Sequence, residues 1–143
     1  MKYLVSIIFI ITGLLCCSCG EDVQGEDTPP KFSPDFITFD NGTNTKIIKN
    51  QNKQDWNFNQ FYINGTLVSM DGPEITLQYQ EGKEHKIWNV TDVRGPWFTL
   101  KKIDKETIEI HVEPTSENRQ FSFFADRGNS HQKITIIQSN VSN

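Results

Sequence analysis

Cysteine is scarce in this chain. The 143 residues hold three, Cys16, Cys17 and Cys19, and none follows. A fold built downstream of Cys19 therefore has no disulfide and no thiolate-held metal, and apolar burial must hold it together. Helical periodicity is also missing after Cys19, which argues against an α-helical or α/β domain. Positive charge is sparse: 14 Lys and Arg stand against 18 Asp and Glu, for a formal net charge of −4. No basic patch is visible, and nucleic acid is not an expected partner. No internal repeat, phosphate loop or nucleophile elbow occurs. His85, His111 and His131 lack metal-ligand spacing, and neither Asp40-Asn41-Gly42 nor Asp71-Gly72 continues into a calcium-ligand series. No catalytic residue, metal or cofactor is expected, and the chain is read as not an enzyme. A pair of carboxylates in a cleft is the one catalytic arrangement that sequence leaves open.

What the sequence does have begins at its N-terminus. Lys2 precedes an apolar run over residues 4–15, about a dozen residues against the roughly 20 needed to span a bilayer as a helix. Such a run fits the apolar region of a signal peptide. Ser18, a small residue suited to a cleavage site, stands directly before Cys19. Residues 14–20 resemble the lipobox of bacterial lipoproteins, although Cys16 stands where that family usually has Leu. The resemblance implies a signal peptide over residues 1–18, cleavage, and lipidation of Cys19. Several acyl chains on one residue would anchor the protein stably, each buried CH₂ contributing about 0.8 kcal/mol. The membrane, through lipid on Cys19, is the first expected partner.

Residues 19–34 read as an acidic, proline-rich tether. Glu21, Asp22, Glu26 and Asp27 repel one another, and Pro29, Pro30 and Pro34 favour extended backbone. The acidic pair after Cys19 resembles the export signal of surface lipoproteins in Bacteroidetes-type bacteria. That resemblance implies an outer-membrane anchor with the module at the cell surface, a periplasm-facing position being the alternative.

Residues 35–143 suffice for one domain with one core. Aromatic residues are plentiful, and of the 10 Phe, 3 Trp and 3 Tyr only Tyr3 and Phe9 precede Cys19. Period-two alternation and turn dipeptides dominate. Strands are predicted over residues 36–39, 46–49, 56–63, 66–70, 74–80, 85–90, 97–100, 107–113, 120–125 and 133–138. Asn64-Gly65 is the strongest hairpin signal. Ile108, Ile110 and Val112 point inward, as do Phe121 and Phe123, while Phe124 is out of register with the latter pair. Eight to ten short strands without helix predict an all-β sandwich, with a closed barrel as the alternative.

The pattern over residues 97–138 resembles the BACON domain, an immunoglobulin-like β-sandwich of Bacteroidetes surface proteins. Trp97, the alternating strand around Ile110, the Asn118-Arg119 corner and the terminal Gln138 carry the likeness, and Trp56 could match that family's first Trp. Residues 57–96 are longer than the usual connection, and Asn118 and Arg119 are adjacent rather than spaced. The resemblance implies an immunoglobulin-like fold and a role in binding glycan or mucin, or as a spacer. For Arg119 and Gln138 we expect a structural role: Arg donating to loop carbonyls, Gln satisfying backbone groups at the end of an edge strand.

Two functions from different classes follow. One is a membrane-anchored module that binds glycan, mucin or a partner protein of the envelope. The other is a spacer or accessory subunit with no ligand. Aromatic faces stack on the C–H surfaces of pyranose rings, so Trp56, Trp88, Trp97, Tyr62 and Tyr79 are the residues to weigh, each against core packing. A sandwich without disulfides needs large aromatics in its core, and Trp56 is expected there; on parity Trp88 shares a face with Lys86 and Val90 and Trp97 with Thr99, and Trp88, Trp97 and Tyr62 are the ligand-binding candidates.

Overall fold

A computed structural model describes residues 28–42 and 44–140. Cys19, the signal peptide and most of the tether lie outside the described residues.

Eleven strands and one 3₁₀ turn make up the described fold: β1 (Phe32–Ser33), β2 (Phe36–Phe39), β3 (Asn44–Asn50), β4 (Asn57–Ile63), β5 (Thr66–Val68), β6 (Thr76–Tyr79), the turn Ile87–Asn89, β7 (Val90–Arg94), β8 (Phe98–Asp104), β9 (Thr107–Val112), β10 (Arg119–Arg127) and β11 (Ser130–Gln138). They form two sheets, one in the order β1-β3-β9-β8-β7-β6 and one in the order β2-β11-β10-β4-β5. The architecture is an all-β sandwich, and the barrel alternative is set aside because the two sheets are separate. Within them β3-β9-β8 and β4-β10-β11 stand in the B-E-D and C-F-G relation of an immunoglobulin-like sandwich. The first strand is divided between the sheets: β1 pairs antiparallel with β3, and β2 pairs parallel with β11.

The core follows from alternation. Ile108, Ile110 and Val112 of β9 face Phe121, Phe123, Ile134 and Ile136 of the other sheet, and all are fully buried. Burial of each such side chain contributes about 1.5–3 kcal/mol. Aromatic packing carries the core to both ends. Phe98 stacks on Phe121 at 3.8 Å, and Trp56 lies edge-on between Phe32 and Phe58 at 5.0 and 4.8 Å. The Asn64-Gly65 hairpin forms as expected, with φ of 48° and 82° at its two central residues.

Three departures have local causes. First, the packed domain starts before residue 35. Phe32 is buried against Trp56, Lys31 N–H donates to Asn50 Oδ1 at 2.9 Å, and Gln132 Nε2–H donates to the Phe32 carbonyl at 3.0 Å. The extended backbone that prolines favour suits a sheet edge as well as a tether. Second, the strand predicted over residues 85–90 does not form as such: Ile87–Asn89 is a 3₁₀ turn, and β7 begins only at Val90. Third, β-bulges break the period of two. Gln60 is skipped in the β4–β10 ladder, which lets both Phe58 and Phe61 point inward although they are three residues apart. Thr91 does the same for Val90 and Val93 in β7, and Ile103 in β8 is left exposed. Gln138 also differs in setting: β11 has neighbours on both sides, so it is not an edge strand.

Candidate functional site

The outward face of the five-stranded sheet carries the most unusual surface. One row of cross-strand partners runs across all five strands: Phe36, Thr135, Ser122, Tyr62 and Leu67. Phe36 and Leu67 at its ends are 55% and 58% exposed. Between them Thr135 and Ser122 are short and hydroxylated. The floor is therefore low, and the Tyr62 ring rises beside it. The result is a pit of about 240 Å³ lined by Tyr62, Gln120, Ser122, Lys133 and Thr135. Lys133 Nζ lies 5.6 Å from the Tyr62 ring centroid, and Phe124 meets Tyr62 edge-on at 6.3 Å. Phe124 points outward here because it alternates with the inward Phe123, as its register predicts.

Two further hollows lie along the same strand. At one end Gln120 shares a shallow depression of about 320 Å³ with Asn64, Asn118, Arg119 and Ile137. At the other, Asp126 and Arg127 line a cleft of about 310 Å³ with Asp55, Trp56, Asn57, Lys102 and Trp88. Ser122, Phe124 and Asp126 alternate outward on β10, opposite Tyr62, Asn59 and Asn57 of β4. Asn59 Nδ2–H donates to Asp126 Oδ2. Beyond β5 the β4 strand is unpaired on its outer side, and the turn bearing Trp88 packs against it there.

Trp88 is 60% exposed at the mouth of this cleft, with Lys86 Nζ 5.2 Å from its ring centroid. Lys102 forms the inner wall. Its ammonium donates to the Trp56 carbonyl at 2.5 Å and lies 4.4 Å from the Trp56 ring centroid. Burial holds the Lys102 pKa below the usual lysine value, opposed by the charge of Asp55. Asp55 and Asp126 supply carboxylate acceptors, Arg127 and Lys102 supply donors, and the charges of the cleft balance.

The three sequence candidates separate. Tyr62 lies on this face at the pit, whereas Trp88 lies at the cleft, which Lys102 of the opposite sheet and the core residue Trp56 also line. Trp97 does not join them and is corrected here: it is buried, edge-on to Phe98 and Phe121 at 5.3 and 5.2 Å, with the Arg119 guanidinium 4.3 Å from its ring centroid. Strand parity misplaced it because Trp97 precedes β8 and sits in the bend that follows Gly95-Pro96. Trp56 is in the core, its Nε1–H donating to the Lys105 carbonyl at 2.9 Å. Asp126, Arg127, Lys102 and Lys133 escaped sequence reasoning, since nothing in a run of polar residues says which will converge. Phe124 gave a usable signal through its parity. Among the described residues no three His, Cys, Asp or Glu side chains come together as a metal site.

No protein-family model and no curated protein matches this chain. Among solved structures it is similar to the NMR structure of a protein from Bacteroides thetaiotaomicron, with a TM-score of 0.58 and 13% identity over 85% of this chain and 96% of that one. The likeness concerns the fold. An endo-fucoidan hydrolase of glycoside hydrolase family 107 overlaps 82% of this chain and 14% of its own length, at a TM-score of 0.39 and 12% identity.

Proposed function

We propose that this protein is a surface lipoprotein of the outer membrane, held by lipid on Cys19, whose BACON-like sandwich binds glycan or mucin through the Trp88 cleft. The observation that carries the reading is the exposed Trp88 indole at the mouth of a cleft of balanced charge. An aromatic platform beside carboxylate, amide and guanidinium groups suits a neutral, hydroxyl-rich ring. The indole covers the C–H face, the carboxylates of Asp55 and Asp126 accept from sugar hydroxyls, and Arg127 donates to ring or hydroxyl oxygens. The reading is of binding without hydrolysis, so a bound glycan should be recovered intact by chromatography.

Full-length protein in detergent, titrated against a glycan array and soluble mucin, should bind at least one sugar class. Trp88→Ala should lose that binding and stay folded. Absence of binding by folded protein would sink the reading in favour of a spacer. For the anchor, Cys19→Ala should abolish incorporation of labelled palmitate and release the protein from membranes. Persistent incorporation would place the lipid elsewhere.

A further inference from the structure

We infer that the ligand is an extended oligosaccharide chain lying along β10, with the Trp88 cleft as one end of a track and the Tyr62 pit as a second subsite. The inference rests on the glycan reading of the Trp88 cleft and adds to it the length and shape of the ligand.

The geometry is that of the β10 strand. Of its outward residues Ser122 lines the pit and Asp126 lines the cleft, which lies at the end of the strand with Lys102 of the opposite sheet on its inner wall, while Gln120 borders both the pit and the shallow depression. From Ser122 to Asp126 is four residues of strand, roughly 13 Å, the span of about three pyranose rings. A monosaccharide held at Trp88 could not reach the pit, whereas a linear chain of four or more rings would occupy both.

The groups between and around the two hollows suit such a chain. Asn59 and Phe124 lie opposite each other between them and offer an amide and an aromatic edge. At the pit, Tyr62 presents a second ring, the Ser122 and Thr135 hydroxyls form the floor, and Lys133 can donate from the rim. Both hollows set an aromatic face beside hydrogen-bonding groups, charged at the Trp88 cleft and hydroxyl at the pit, at an interval that fits a polymer of rings. Two compact ligands would require no such alignment.

The test is a chain-length series. Cello-, laminari-, xylo- and chito-oligosaccharides of one to six rings are titrated calorimetrically into full-length protein in detergent. Affinity in the series that binds should rise at least tenfold between two rings and five. Tyr62→Ala and, independently, Lys133→Glu should lower five-ring affinity toward the two-ring value and leave two-ring affinity unchanged. Lys133 is exposed, so its replacement does not threaten the fold. Equal affinity for two and five rings, or unchanged five-ring affinity in both variants, would overturn the extended track. The Trp88 reading would then stand if Trp88→Ala still abolished two-ring binding. If no length in any series binds, both readings fall.

Discussion

Arg119 and Gln138 are cross-strand partners on β10 and β11, and the guanidinium grips the amide oxygen with two N–H groups at 3.0 and 2.9 Å. The same guanidinium reaches the Glu113 and Pro114 carbonyls at 2.6 and 3.2 Å. Gln138 Nε2–H donates to the carbonyls of Gly42 and Glu113 at 3.1 and 2.9 Å. One pair thus joins the five-stranded sheet to the β2–β3 connection and to the chain leaving β9 in the opposite sheet, while Arg119 also covers Trp97. Gln138 is fully buried, so its removal strands several polar groups. Gln138→Ala should destabilise by about 1–3 kcal/mol for the groups left unpaired. Arg119→Ala should couple to it by about 0.5–3 kcal/mol in a double-mutant cycle, as members of one network do. Strictly additive losses in urea titrations would show that the two side chains act separately.

Gly95 is the point of closest approach at the same end of the sandwich. A Cβ there would lie 2.3 Å from two atoms of the Phe98 ring, and that ring is buried and stacked on Phe121. Gly95→Ala should therefore destabilise by about 1–3 kcal/mol through overpacking. Combining it with Phe98→Leu, which vacates the contested space, should cost less than the sum of the two changes. Urea midpoints decide this, and a fully additive double variant would contradict the steric account.

Asp104 accepts the Glu106 N–H at 2.7 Å in the turn between β8 and β9. That bond, with help from Thr107 and the charge of Lys49, holds its pKa below the ordinary 3.8. A carboxyl depressed in the folded state binds fewer protons folded than unfolded. Its contribution to stability is thus present above about pH 4 and is lost as pH falls through the folded pKa. Asp104→Asn should flatten the acid limb of the stability profile, and carboxyl NMR should find Asp104 titrating below a model aspartate. An Asp104 that titrates at or above the ordinary aspartate value would refute the assignment.

Much of the fold was legible because a sandwich imposes period two. The alternation of Ile108, Ile110 and Val112 placed β9, and the opposed parity of Phe123 and Phe124 told inside from outside on β10. The corner role of Arg119 and Gln138 was legible too, since few residues but Arg can serve several carbonyls at once. The failures share a cause. Bulges at Gln60 and Thr91 reset the alternation with no signature in residue type, so β7 and the inward pair Phe58 and Phe61 could not be counted out. Trp97 lies outside its strand, where parity has no meaning. The candidate face was the least legible part. Phe36, Ser122, Tyr62 and Leu67 are scattered along the chain, and only the register of five strands puts them in one row.

Trp88 offers the cleanest separation of binding from folding. Trp56 and Trp97 are 1% and 8% exposed, against 60% for Trp88. Trp56→Ala would empty a core site packed by Phe32, Phe58 and the Lys102 ammonium and should cost about 3–5 kcal/mol. Trp88→Ala removes a side chain that rests mainly on Lys86 and solvent, and should change stability by no more than about 0.5 kcal/mol. The emission spectrum should contain one solvent-exposed component belonging to Trp88, selectively quenched by acrylamide and lost in Trp88→Phe. A glycan seated on the indole would shield that component and reduce its quenching, leaving the buried tryptophans unchanged. Shielding that survives in Trp88→Phe would mean that the ligand is reported by another tryptophan, and the Trp88 indole would have to be abandoned as its seat.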